Sequence, residues 1–135
     1  MSARKVRQRE RFKSLILANA AEIARLKACV QVIYEHRNES DESLQAWKAA
    51  GEELHERYDA LAFPGGYDGA LQRIKSGDGD TIEAALCFIE VRPYFFRSGY
   101  IFDELLRKIK RATLSKDQAE RLETVIRKRA EWRKR

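Results

Sequence analysis

Apolar residues recur every three or four positions along most of this chain, which is the period of an α-helix. In the first segment, residues 3–37, the apolar positions run from Phe12 to Ile33 with charged residues opposite them. A second series with the same spacing runs from Leu44 through Gly51 to Leu61. No segment competes with these by alternating apolar and polar residues at the strand period of two, so the sequence predicts an all-α protein.

Residues that start or break helices divide the chain into about five to six segments. Residues 38–41 are of types that cap helix N-termini, and Gly and Pro interrupt the pattern at 63–69, 76–79 and 93. Further helices are expected at 68–75, 81–91, from 98–99 to 109, and 116–132. Asp80 with Glu83, and Ser115 with Gln118, have the spacing of capping boxes.

We therefore predict a compact bundle in one domain, residues 1–135, with residues 1–10 and 133–135 frayed. The connection after the first helix is short, which favours an antiparallel hairpin of helices one and two. A break near Asn19 is an alternative to one long first helix. Gly51 lies on the apolar stripe of helix two, which indicates the close approach of a neighbouring helix, and Ile126 is expected in the core with Leu122.

The two cysteines, Cys29 and Cys87, each lie among apolar residues. We expect two buried free thiols, because a free cysteine behaves as a small apolar residue. A disulfide between them is the alternative, and a reactive thiol is the third. No apolar run reaches the length of a membrane span and no signal peptide is recognised, so a cytoplasmic protein without membrane contact is predicted.

Charge is segregated along the chain. Residues 107–135 carry twelve Lys and Arg against four acidic residues, a local charge of +8, and residues 1–13 carry six against one. Residues 35–62 sum to −5 and residues 63–106 to −3. Because the total is only +6, this separation indicates surfaces that attract partners of opposite charge.

Catalytic and metal-binding patterns are incomplete in this sequence. Glu52 and His55 have the i, i+3 spacing of di-iron bundles, but a second copy of the pair is missing. Asp78 and Asp80 with Glu83 supply too few oxygens for a calcium loop. There is no nucleophile elbow and no phosphate loop. We predict no catalytic residue, no metal ligand and no cofactor.

The predicted function is a small non-catalytic binding module, an adaptor, regulator or inhibitor of another protein. Its contacts are assigned to an acidic face, a basic face and exposed aromatic residues near 63–67 and 94–100. For the aromatics at 94–100, core packing around the turn at Pro93 is the alternative. The acidic face comprises Glu35, Glu39, Glu52, Glu53, Glu56 and Asp59. The basic face comprises Arg97, Arg107, Lys108, Lys110, Arg111, Arg127 and Lys128, and the aromatic contacts are Tyr67, Tyr94 and Tyr100. The alternative is a nucleic-acid-binding protein that uses the basic C-terminal helices, because cations beside aromatic rings bind phosphates and stack on bases. A homodimer is a further arrangement that the long first helix allows.

Overall fold

A computed structural model describes residues 2–134, and the two terminal residues of the predicted domain lie outside this range. The described chain contains six α-helices and no β-strand, which confirms the all-α prediction. The helices are α1 (Ala3–Tyr34), α2 (Asp41–Ala62), α3 (Ala70–Lys75), α4 (Gly79–Val91), α5 (Ser98–Ile109) and α6 (Lys116–Lys134).

Capping side chains fix the starts of four helices, α1, α2, α4 and α6. Ser40 accepts a hydrogen bond from the backbone N–H of Ser43 at the start of α2, at 3.0 Å. At the start of α6, the Ser115 hydroxyl and the Gln118 amide oxygen each accept the other residue's backbone N–H, at 3.2 and 3.1 Å. The predicted capping box of α6 is therefore confirmed.

The prediction that Asp80 caps α4 is wrong. Gly77, with φ +87°, turns the chain after α3, so that Asp78 becomes the N-cap and accepts the Thr81 backbone N–H at 3.2 Å. Asp80 lies in the first turn of the helix, where its carboxylate accepts a hydrogen bond from the Gln8 side chain at 2.8 Å.

Helix α4 lies at the centre of the core. All its residues from Thr81 to Ile89 are buried except Glu83, and the helix packs against α1, α3, α5 and α6. Buried apolar residues from each of the six helices form one cluster. Its largest fully buried members include Phe63, Phe88 and Leu105.

Helix α1 passes through Asn19 without a break and extends beyond this core. Its fully buried residues end at Leu26, and none occurs again before Ala62 in α2. We call residues 27–54 the arm. The rings of Tyr34 and Trp47 lie 5.8 Å apart near its tip, and Arg57 reaches Glu22 at 3.4 Å near its base. Contacts in this order are expected for two helices that run in opposite directions.

Three expectations about burial are wrong. Nothing lies within 4 Å of a Cβ built on Gly51, so no helix approaches it closely. Cys29 is exposed, because it lies on the arm, beyond the last fully buried residue of α1, whereas Cys87 is buried and both thiols are free. Ile126 is 37% exposed, because it points outward one position after the buried Val125.

Candidate binding surface

The connection between α4 and α5, residues 92–97, has a strained backbone. Arg92 and Arg97 have φ of +51° and +67°, and they are the only non-glycine residues at positive φ in the described part of the chain. A left-handed conformation costs an L-residue about 1–2 kcal/mol. Such strain persists only where the surrounding structure enforces it, and it is common at functional sites.

Several contacts hold this connection in place. Pro93 and Phe95 are buried, and the Phe95 backbone N–H donates to the Ser98 hydroxyl at 3.1 Å. The Tyr58 hydroxyl donates to the Phe96 carbonyl at 2.6 Å. The Phe95 ring also packs edge-on against Phe88 and Tyr58, at centroid distances of 6.2 and 6.1 Å.

Anchoring of Phe95 leaves its neighbours in solvent. Tyr94 is 94% exposed, Tyr100 is 74% exposed and Phe96 is 44% exposed. We call these three residues the aromatic ridge. Two cations contact the Phe96 ring, with the Lys27 ammonium 4.3 Å and the Arg97 guanidinium 5.1 Å from its centroid.

A groove of about 800 Å³ separates the aromatic ridge from α1. Ala24, Lys27 and Ala28 line it on the α1 side. Tyr94 also borders a second cleft, of about 640 Å³, which reaches Trp132 of α6. In that cleft the Arg92 guanidinium stacks 3.9 Å from the Trp132 ring.

The residues of the predicted basic face are not brought together as one set. All are exposed except Lys108, which is half-buried, and none forms an ion pair with another described residue. Arg107, Lys108 and Arg111 line one shallow pocket of about 100 Å³, beside Lys110 in sequence. Arg97 lies instead at the aromatic ridge. Arg127 and Lys128 lie on α6, where Arg127 donates to Thr124 of its own helix.

All six residues of the predicted acidic face are exposed, but several have local partners. Glu53 pairs with Arg57 at 3.3 Å, and Asp59 accepts the Asp68 backbone N–H at 2.8 Å. Glu39 pairs with His36 at 2.8 Å, and this hydrogen bond raises the pKa of His36. Glu35 and Glu52 are exposed on the arm, and Glu56 is exposed on α2 two residues after it.

The expectation of exposed aromatics at residues 63–67 is wrong. Phe63 is fully buried, and Tyr67 is half-buried and packs against the core. The Tyr67 hydroxyl donates to Glu104 at 2.9 Å. Burial is the main effect that raises the pKa of Tyr67, and the hydrogen bond to Glu104 raises it further. The Phe63 and Tyr67 rings pack against the core where α2 ends. Tyr67 therefore has little exposed surface with which to make the predicted contact to a partner.

A buried ionic cluster joins α4 to α6. Arg121 is 8% exposed, and its guanidinium binds Glu83 at 2.7 Å and Glu90 at 2.6 Å. Between these carboxylates, the Cys87 thiol donates to Glu83 at 3.2 Å. Lys13 of α1 lies 3.8 Å from Glu90.

The cluster determines the protonation of its members. Burial, helped by the hydrogen bond to Glu83, raises the pKa of Cys87 to about 12, so this thiol is not a nucleophile at neutral pH. Burial is the largest single effect on Glu83 and raises its pKa. The hydrogen bonds from Arg121 and Cys87, together with the positive charges of Arg121 and Arg9, outweigh burial, so the pKa of that carboxyl is lowered.

Sequence reasoning missed this cluster, although a signal was present. Glu83, Cys87 and Glu90 share one face of α4 at i, i+4 and i+7, and Arg121 directly precedes Leu122 on the inward stripe of α6.

No group of three or more potential metal ligands converges within residues 2–134. The pair considered for metal binding, Glu52 and His55, is exposed and borders an apolar groove at Gly51. None of the described helices combines the length and apolar character needed to cross a bilayer.

No protein-family model matches this sequence, and no curated protein or solved structure is significantly similar to it. Its function is therefore inferred from its own residues and their geometry.

Proposed function

We propose that this protein is a non-catalytic binding module that recognises another protein through the aromatic ridge and the adjacent groove. One observation carries the proposal: Tyr94 is 94% exposed on a connection that is both strained and anchored. Regulator, adaptor and inhibitor roles all use such a surface.

The energetic argument rests on rigidity. Binding costs less entropy when the contact residues are already held in place. The buried neighbours Pro93 and Phe95 hold Tyr94 and Phe96 in this way. Tyrosine and arginine are also the residue types that dominate binding energy at protein interfaces. Three exposed aromatic rings beside Lys27 and Arg97 fit that composition.

The acidic face is proposed as a second contact, because exposed carboxylates steer basic partners and speed association. A cytoplasmic location is also part of the proposal. It is supported by the two free thiols, which are typical of reducing compartments.

The direct test is retention of partners on the immobilised full chain. We expect wild type to retain a partner protein, and the double variant Tyr94→Ala/Tyr100→Ala to lose it with an unchanged thermal unfolding midpoint. Leu15→Ala is the matched control, because Leu15 is an apolar side chain with 44% exposure that lies outside both clefts. Full retention by the double variant would show that the ridge is not the binding surface.

Nucleic-acid binding is the second candidate, favoured by the convergence of Arg107, Lys108 and Arg111 without ion pairs among the described residues. Tyr100 and Arg107 are also both exposed on α5, two turns apart.

A gel-retardation assay tests nucleic-acid binding. Replacing residues 107, 108, 110 and 111 together by Gln is expected to abolish a shift at low salt. When the logarithm of the wild-type binding constant is plotted against the logarithm of the salt concentration, the line should fall with a slope of about 0.7–0.9 for each phosphate contacted. Lys48→Gln/Lys75→Gln, which neutralises two exposed lysines outside the basic face, is the control, and no shift by wild type at low salt removes this candidate.

A further inference from the structure

Helix α1 exposes an apolar stripe beside the aromatic ridge. The stripe comprises Leu17, Ala21, Ala24, Ala28 and Val32, all exposed, with Leu17 at 55% and Val32 at 65%. These residues are separated by three or four positions and so follow one face of the helix for about 22 Å. Two of them, Ala24 and Ala28, line the 800 Å³ groove.

The groove is apolar but carries positive charge. Lys27 and Arg97 reach the Phe96 ring from α1 and from the ridge, and neither has an ion-pair partner within residues 2–134. The carboxylate at the groove, Asp103, is paired with Arg129 at 2.7 Å. An occupant that complements this surface combines apolar side chains with acidic ones.

We infer that the groove binds an acidic amphipathic α-helix of the partner protein, packed along α1 and against the aromatic ridge. This inference rests on the proposed function. A helix fits because Ala24 and Ala28 allow a second helix to approach at the usual axial distance of about 8–10 Å. Helix-in-groove recognition uses apolar anchors at i, i+3 or i+4, and i+7. The described chain has no strand whose edge could pair with an extended peptide.

The contacts divide by chemistry. Apolar anchors of the bound helix pack against Phe96, Tyr100 and the alanines of α1, while its acidic residues pair with Lys27 and Arg97. A nucleic-acid strand complements this groove less well, because the α1 side presents two alanine methyl groups for every cation.

The first experiment identifies the preferred ligand without assuming it. A phage-displayed library of helix-biased random peptides is selected on the immobilised full chain at physiological salt. We expect the enriched peptides to be net negative, with apolar residues at i, i+3 or i+4, and i+7. Enrichment of basic or non-amphipathic peptides, or no enrichment above a blank surface, would overturn the inference.

Variants then locate the bound peptide. Ala28→Glu places a larger, anionic side chain in the groove at an exposed helix position, and we expect it to weaken the selected acidic peptide more than tenfold. Ala49→Glu makes the same change at an exposed position of α2 and should leave affinity unchanged. Reversing Lys27 or Arg97 to Glu should weaken an acidic peptide about fivefold each, the upper range for an exposed ion pair. Equal binding by Ala28→Glu and wild type places the peptide elsewhere and contradicts the inference.

The outcomes separate this inference from the proposed function. Loss of the partner with Tyr94→Ala/Tyr100→Ala, but not with Ala28→Glu, leaves the ridge as an interface and removes the helix groove. Sedimentation that shows a dimer dissociated by Ala28→Glu would make a second copy the occupant. Displacement of the selected peptide by a single-stranded nucleic acid that binds wild type but not Ala28→Glu would assign the groove to nucleic acid. Either result overturns the acidic-helix inference.

Discussion

Arg121 shows how one residue can set the chemistry of an interior. Among the described residues it is the only charged side chain that is buried, and it binds carboxylates that lie 31 and 38 positions earlier in the sequence. A buried ion pair adds little net stability compared with apolar packing. Removal of one partner, however, leaves a charge that is buried and unpaired.

Arg121→Met is therefore expected to lower the free energy of unfolding by about 3 kcal/mol at pH 7. The methionine retains apolar volume but leaves Glu83 and Glu90 without their guanidinium partner. Urea unfolding measures the change. Arg129→Met, which breaks the more exposed pair with Asp103, should lower it by no more than about 1 kcal/mol. Equal effects of the two variants would show that burial does not strengthen the Arg121 contacts.

The same cluster predicts a dependence on pH. The folded pKa of Glu83 lies below its usual value of 4.5, because the hydrogen bonds from Arg121 and Cys87 and the positive charge of Arg121 together outweigh the opposing effect of burial. Its contribution is fully present above the unfolded pKa and is lost as the pH falls through the folded pKa. The difference in unfolding free energy between wild type and Arg121→Met should therefore be smaller at pH 3 than at pH 7. A difference that is unchanged or larger at pH 3 would contradict this assignment.

The two thiols should react at different rates. Cys29 is exposed, whereas Cys87 is buried with a pKa of about 12. Because the thiolate is the nucleophile, iodoacetamide at pH 8 should modify Cys29 alone in the native protein and both cysteines in urea. Mass spectrometry counts the adducts, and Cys29→Ser is expected to abolish native labelling. Native modification of Cys87 would show that α4 opens readily.

At the scale of elements, helix starts could be predicted well where a cap lies beside its helix in sequence. Ser40 and the Ser115–Gln118 pair follow rules that need only a few neighbouring residues. The cap of α4 was assigned two residues late, because a Gly-Asp-Gly-Asp run offers two equivalent acidic caps. The φ of Gly77 decides between them.

Gly51 in α2 provides a test of helix propensity. Since nothing lies within 4 Å of a Cβ at this position, Gly51→Ala should raise the free energy of unfolding by about 0.5–1 kcal/mol. Thermal and urea unfolding measure the gain.

Gly66→Ala provides the contrast, because its φ is +88° and the new Cβ would lie 3.0 Å from an Asp59 carboxylate oxygen. That change should destabilise the protein by about 1–2 kcal/mol. A loss of stability in Gly51→Ala would show that a neighbour does occupy this side of α2.

At the scale of the whole molecule, stability should be uneven. Helix α4 is almost wholly buried, whereas the arm contains no fully buried residue. Regions with few buried apolar contacts open locally at lower free energy. Amide hydrogen exchange followed by mass spectrometry should therefore show peptides from residues 30–50 exchanging well before those from 82–89. Equal protection of the two regions would indicate that something covers the arm in solution.

The candidate surface could be predicted only in part. The helical repeat indicates which residues of a helix are buried, but it does not extend into the connections between helices. The aromatic residues at 94–96 were identified as candidates, but no repeat indicates that Phe95 is buried while Tyr94 is exposed. That outcome depends on the left-handed conformations of Arg92 and Arg97, which the sequence alone does not suggest for arginine. The groove depends in addition on α1, which is distant in sequence.

The distance between Glu83 and Arg121 also bears on how the protein is made. A ribosome adds about 5–20 residues per second, so the 38 positions between them correspond to roughly 2–8 s of synthesis. During that interval α4 has been synthesised with two acidic side chains whose guanidinium partner does not yet exist. The cluster between α4 and α6 can form only after α6 has been synthesised. Slower translation would therefore expose the unfinished chain to chaperones and proteases for longer.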